Sequence, residues 1–88
     1  DLANQRKLLN LLLELSNNGT TIIMTTHSPN HALKIADKTL MLFGEEEFIF
    51  GNTKDVVNAD NLSKLFETKV DCINYELNGK TGIFALAI

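Results

Sequence analysis

The spacing of apolar and polar residues predicts a helix at the start of the chain. Apolar positions recur at helical intervals from Leu2 to Asn17, with polar side chains on the opposite side, which indicates an amphipathic helix. The apolar side is formed by Leu8, Leu9, Leu12 and Leu15. Gly19 follows and can take the left-handed conformation that closes a helix without a Cβ clash.

The next segment has no alternation. Thr20 to Thr26 is rich in β-branched residues and apolar at Ile22-Ile23-Met24, which is typical of a buried strand in a parallel sheet. His27 ends this segment, and Ser28 and Pro29 suit the cap and first turn of a helix that we expect to reach Ala36.

The second half of the chain predicts two hairpins. Thr39 to Phe43 and Glu47 to Phe50 read as strands joined by a Gly-Glu-Glu turn. A turn or short helix over Asn52 to Val57 and a helix from about Asp60 to Phe66 follow. The fold class is therefore α/β, with a carboxyl-terminal β-hairpin.

That terminal hairpin is predicted from alternation and from its turn. Lys69 to Leu77 alternates apolar and polar residues, and Thr81 to Ile88 supplies a return strand. Asn78-Gly79 lies between them, and this pair readily takes the two positive φ angles of a tight hairpin turn.

Composition narrows the range of functions. A chain of 88 residues forms at most one small domain, and its net charge of -3 argues against nucleic acid as a partner. Cys72 is the only cysteine, so an internal disulfide is impossible, and we expect a small buried hydrophobic role for it. No uninterrupted apolar run, Leu11 to Leu13 included, is long enough to span a bilayer.

His27 is the first candidate for chemistry. It lies where a buried strand ends and a helix begins, and ligands of open α/β sheets bind at the carboxyl ends of strands. An imidazole there can contact a phosphate oxygen or a water molecule. On position alone, a histidine that bridges backbone groups in the turn is the commoner case.

The residues around His27 carry a family resemblance. The stretch from Thr20 to Ala32, followed by Ala36-Asp37-Lys38 and an apolar strand, resembles the switch-histidine segment of ABC ATPases, which have the P-loop NTPase fold. In that family the matching histidine reaches the γ-phosphate of ATP and helps to orient the attacking water. The resemblance thus implies a catalytic role for His27.

Asp1 extends the resemblance. Asp1-Leu2 before an amphipathic helix resembles the end of the family's D-loop, which lies between two nucleotide-binding domains, and the spacing to His27 is similar. This implies that Asp1 is a cofactor-site residue at a dimer interface, although a simple helix N-cap explains it equally well. Gly51 to Val57 and the helix through Leu65-Phe66 resemble the end of importer ATPases, most of all those serving iron-siderophore, haem and cobalamin uptake.

The resemblance implies a place in a larger protein. Residues 1–88 would form the carboxyl-terminal part of an ABC nucleotide-binding domain, with the D-loop to the switch histidine in 1–51 and a terminal helix and hairpin in 52–88. The full-length ATPase would use ATP and Mg²⁺, pair with a second ATPase subunit, and bind transmembrane permease subunits at the cytoplasmic face of the cell membrane.

Missing motifs predict that the 88-residue chain alone is inactive. It has no GxxxxGK[ST] phosphate loop and no signature motif or Walker B strand, so we expect no cofactor bound to it. No metal site is expected either, because His27 and His31 lack a third ligand at a recognisable spacing. Glu45 to Glu47 read as a solvated turn.

Two alternatives stay open on the sequence. One is a DNA-acting ATPase of the same fold, similar to the SMC-like proteins, which the acidic balance disfavours. The other is a free-standing regulatory or dimerisation module whose working surface is the hairpin from Lys69 to Ile88. If the chain is part of a larger ATPase domain, an unpaired apolar strand at Thr20 to Thr26 predicts self-association of the isolated chain, whereas a monomer would favour the free-standing module.

Overall fold

A computed structural model describes all 88 residues of the chain. They form four helices and four strands, joined by turns and loops. In chain order they are α1 Leu2–Asn17, α2 Pro29–Ile35, β1 Lys38–Leu42, β2 Phe48–Asn52, α3 Thr53–Val56, α4 Ala59–Phe66, β3 Val70–Leu77 and β4 Lys80–Ala87. The strands form two separate two-stranded antiparallel sheets. None of the helices combines the length and the apolar character that crossing a membrane requires.

Helix α1 ends as its sequence predicts. Gly19 has a φ of 93°, and its N–H donates to the Ser16 carbonyl at 3.0 Å. The Thr20 N–H donates to the Leu15 carbonyl at 3.0 Å, which completes a Schellman motif. The predicted closure of the helix at Gly19 is confirmed.

The buried side of α1 differs from the predicted one. Leu9 is buried and Leu12 and Leu13 are half-buried, but Leu8 and Leu15 are 55% and 40% exposed. Helical periodicity identifies an apolar sector, whereas the position of the neighbouring helix α2 decides which part of that sector is covered.

The predicted strand at Thr20 to Thr26 is not formed. Residues 21–26 take part in no backbone–backbone hydrogen bond, and the side chain of Ile23 is 94% exposed. A strand exists only where a neighbouring segment pairs with it, and no other segment of these 88 residues lies alongside.

Both predicted hairpins are confirmed. In the first, β1 pairs with β2 from Lys38↔Asn52 to Leu42↔Phe48. In the second, β3 pairs with β4 from Val70↔Ala87 to Leu77↔Lys80. Asn78 and Gly79, which join β3 to β4, have φ angles of 53° and 77°, the two positive values that a tight turn between twisted strands requires.

A small apolar core joins the two sheets. Its buried members come from β1, α3, α4, β3, β4 and the loop after α3: Met41, Val56, Val57, Leu62, Val70 and Ala85. Ala32 and Leu33 of α2 pack against the edge of this core. Helix α2, which begins two residues after His27, is therefore fixed between the core and β4.

Candidate functional site

His27 lies on the surface, at a bend before α2. Its side chain is exposed, and the hydrogen bonds of the turn are made by the residues on either side of it. The Ser28 N–H donates to Thr26 Oγ1 at 3.0 Å. The imidazole is thus presented to solvent from a backbone that its neighbours hold.

Ser28 and Pro29 start α2 as predicted. Ser28 Oγ accepts a hydrogen bond from the His31 N–H at 3.4 Å, and Pro29 occupies the first turn. Proline fixes φ, and the serine cap satisfies a free N–H. The conformation of the backbone just after His27 is therefore restricted. The backbone of the turn is therefore held on the side where the chain leaves His27.

Asp1 caps α1. Its Oδ1 accepts a hydrogen bond from the Asn4 N–H at 2.8 Å, and its Oδ2 accepts a second one from Asn4 Nδ2 at 3.3 Å. This is the N-cap geometry that local physics predicts, and it leaves the side chain exposed at the end of the helix. The role of Asp1 at a dimer interface stays a prediction.

An open cleft of about 480 Å³ lies between α1, α2 and the terminal hairpin. Leu2 and Ser28, the neighbours of the two predicted site residues, both line it, but Asp1 and His27 do not. The charged groups along it, Arg6 and Lys34, are basic. On its hairpin side the ring of Tyr75 lies across Gly82, where an added Cβ would come within 2.5 Å of ring atoms.

Asn30, which also lines the cleft, makes a contact that the sequence does not indicate. Its Oδ1 accepts a hydrogen bond from the Ala85 N–H at 2.7 Å, and its Nδ2 donates to the Ala85 carbonyl at 3.1 Å. The two residues are 55 positions apart. No local pattern reports such a contact, because an asparagine in the first turn of a helix reads as an ordinary surface residue.

The acidic turn is solvated. Glu45, Glu46 and Glu47 are exposed. Glu47 forms an ion pair with Lys64 of α4, and Lys64 Nζ also lies 4.6 Å from the centroid of the Phe43 ring. Because both charged side chains are exposed, this pair contributes little to stability, and it attaches the turn to α4.

Two further observations concern metal and thiol chemistry. The chain has no group of three or more His, Cys, Asp or Glu side chains placed to hold a metal ion. Cys72 is half-buried at the edge of the core. Burial, and secondarily the charge of Asp71, raises the pKa of its thiol above the usual value.

Sequence comparison finds relatives of this chain among import ATP-binding proteins. No family model matches the chain. It is 43% identical over 67 residues to the molybdate import ATP-binding protein MolC of Haemophilus influenzae, covering 75% of this chain and 26% of that protein. It is 33% identical over 75 residues to the vitamin B12 import ATP-binding protein BtuD of Yersinia pseudotuberculosis, covering 85% of this chain and 30% of that protein.

A solved structure agrees. An inward-facing metal-chelate type ABC transporter superposes with a TM-score of 0.93 at 32% sequence identity, over 100% of this chain and 35% of the other. The chain belongs to the ABC transporter ATP-binding proteins. It spans about a quarter to a third of the length of the relatives it matches. The predicted family and fold class are confirmed, while the roles of His27 and Asp1 stay predictions.

Proposed function

We propose that this chain forms the carboxyl-terminal part of the ATP-hydrolysing subunit of an ABC importer. The observation that carries the proposal is the sequence match to two import ATP-binding proteins across three quarters or more of the chain. The same match favours a transporter over a DNA-acting ATPase of similar fold. It also disfavours a free-standing module, because α2 and the terminal hairpin match as one unit with the solved transporter.

His27 is proposed to contact the γ-phosphate of ATP. Its exposed imidazole has room for a phosphate, and a histidine near neutral pH can donate a hydrogen bond to a phosphate oxygen. Phosphoryl transfer depends chiefly on positioning and on stabilising charge, so a histidine whose backbone is held by its neighbours suits this role. Mg²⁺, when bound, would offset phosphate charge, and we assign no residue of this chain to it.

The remaining partners follow from the family. Asp1, at the exposed start of α1, is proposed to face a second ATPase subunit, and the assembled pair would bind transmembrane permease subunits from the cytoplasm. The 88-residue chain contains no phosphate loop, and we expect it to be inactive without the rest of the subunit.

The test is His27→Ala in the full-length subunit. Loss of one group that stabilises the transition state lowers kcat by about 100-fold in comparable enzymes, and we expect a loss of that order in ATP turnover. His31→Ala is the matched control, since it removes a second imidazole four residues later and should leave turnover within about twofold of wild type. Normal turnover in the His27 variant would refute the assignment.

A further inference from the structure

The side chain of Asn30 acts as a substitute for a neighbouring strand. Both of its hydrogen bonds go to the backbone of Ala85, with Oδ1 accepting from the N–H at 2.7 Å and Nδ2 donating to the carbonyl at 3.1 Å. β4 has β3 as its only strand partner. The amide of Asn30 therefore satisfies two backbone groups of the free edge of β4, as a peptide group of a third strand would.

We call this pair of hydrogen bonds the Asn30–Ala85 clamp. It joins the backbone of β4 to the first turn of α2, close to His27. Ala85 belongs to the buried core, so its backbone is a fixed point. Asn30 is the second residue of α2 and comes three residues after His27. Leaving either backbone group of Ala85 unpaired at this half-buried position would carry the desolvation penalty of that group, so the bonds of the clamp are strongly favoured.

The route from the clamp to His27 is short and stiff. Pro29 has a restricted φ, and Ser28 is held by its own N–H to Thr26 Oγ1 and by its Oγ to the His31 N–H. A displacement of Asn30 is therefore expected to displace the backbone of His27 as well. Apolar contacts of Ala32 and Leu33 hold the later part of α2, so the clamp chiefly determines where its first turn lies.

We propose that Asn30 is a positioning residue for ATP hydrolysis, and that the terminal hairpin β3–β4 sets the place of His27 through the Asn30–Ala85 clamp. This inference rests on the proposed role of His27. It assigns the hairpin a part in catalysis although no hairpin residue touches the nucleotide in this scheme. It also makes the hairpin a place where a bound partner would alter turnover without reaching the ATP site.

The test is a double-mutant cycle in the full-length subunit, built from His27→Ala, Asn30→Ala and the double variant. A displacement of about 1 Å at a catalytic group can cost up to about 100-fold, so we expect Asn30→Ala to lower kcat by about 10- to 100-fold. KM for ATP should stay within about twofold, since the variant does not change the contacts that bind ATP equally well in the ground state and in the transition state. The double variant should be no slower than His27→Ala alone, because Asn30 acts through His27.

Two further variants separate positioning from general destabilisation. Asn61→Ala is the matched control, since Asn61 Nδ2 also donates to a backbone carbonyl, that of Val56 at 2.8 Å, but in α4 and away from α2. It should lower the melting temperature about as much as Asn30→Ala with kcat unchanged. Asn30→Asp should recover kcat relative to wild type as pH falls, because only the protonated carboxyl can both donate to and accept from Ala85.

The outcomes distinguish this inference from the proposed function. If His27→Ala slows turnover and Asn30→Ala does not, the clamp inference is wrong and the role of His27 stands. Multiplicative losses in the double variant, or an equal loss of kcat in Asn61→Ala, also overturn the inference. Normal turnover in His27→Ala overturns both.

Discussion

Cys72 in β3 has an environment that suppresses its reactivity. Its side chain is half-buried against the core, and Asp71 is its sequence neighbour, with Asp71 Oδ1 accepting a hydrogen bond from the Cys72 N–H at 2.9 Å. Burial and the nearby carboxylate both disfavour a thiolate, which raises the pKa. The attacking species in alkylation is the thiolate, so the reaction at Cys72 is expected to be slow.

The prediction is that iodoacetamide alkylates Cys72 more slowly in the folded chain than in urea at the same pH. The pH at which the rate reaches half its maximum should also be higher in the folded chain, since a raised pKa moves thiolate formation to more alkaline pH. Mass spectrometry of timed samples measures both. Asp71→Asn removes the secondary cause and should speed the reaction. Equal rates folded and unfolded would contradict the burial argument.

His27 and Asn30 show what can be predicted at the scale of residues. The place of His27 after an apolar segment and before a Ser-Pro cap follows from neighbouring residues, and the structure has that turn. The contact of Asn30 with Ala85 spans 55 positions, and it depends on how α2 docks on β4. The residues near Asn30 in the sequence do not indicate how α2 docks on β4.

At the scale of elements, the turn between β3 and β4 depends on glycine. Gly79 has a φ of 77° and no atom within 4 Å of an added Cβ, so a substitution meets backbone strain without a steric clash. For a residue with a Cβ, the left-handed conformation costs roughly 1–2 kcal/mol. The hairpin that carries Ala85 should therefore weaken when this glycine is replaced.

We predict that Gly79→Ala lowers the urea midpoint of the chain by an amount corresponding to about 1 kcal/mol. Gly44→Ala is the matched control, because Gly44 also has open space at its Cβ position but no positive φ. The control should be neutral or slightly stabilising. Equal urea midpoints for the two variants would contradict the prediction that backbone strain at position 79 lowers stability.

The elements that sequence predicts well are those whose signals are complete within a short segment. Helix α1 with Gly19 and both hairpins are of this kind. The segment Thr20 to Thr26 has the composition of a strand but no pairing partner here, so its prediction was wrong for a reason outside the segment. The same holds for the covered side of α1, which α2 decides.

Many large apolar side chains of the molecule are exposed to solvent. Ile23 is almost fully exposed, and one face of the β1–β2 hairpin is also open to solvent. That face consists of two cross-strand pairs, Leu40 with Phe50 and Leu42 with Phe48. Contiguous apolar surface of this kind promotes association between protein surfaces.

We therefore predict that the isolated 88-residue chain self-associates in sedimentation velocity experiments, increasingly so at higher concentration. Ile23→Lys and Phe50→Lys should each shift the distribution toward monomer, because they place a charge in the exposed apolar surface. Asn10→Lys adds the same charge at an exposed polar position of α1 and should leave association unchanged. A monomer at all concentrations would contradict the prediction.

The distance between Asn30 and Ala85 along the chain also has a consequence during protein synthesis. Ala85 is added 55 residues after Asn30, which at typical elongation rates is a delay of about 3 to 11 s. Throughout that interval α2 can form its serine cap, but the side-chain amide of Asn30 has no strand edge to bind. The first turn of α2 can therefore take its final position against β4 only after β4 has been synthesised and has paired with β3.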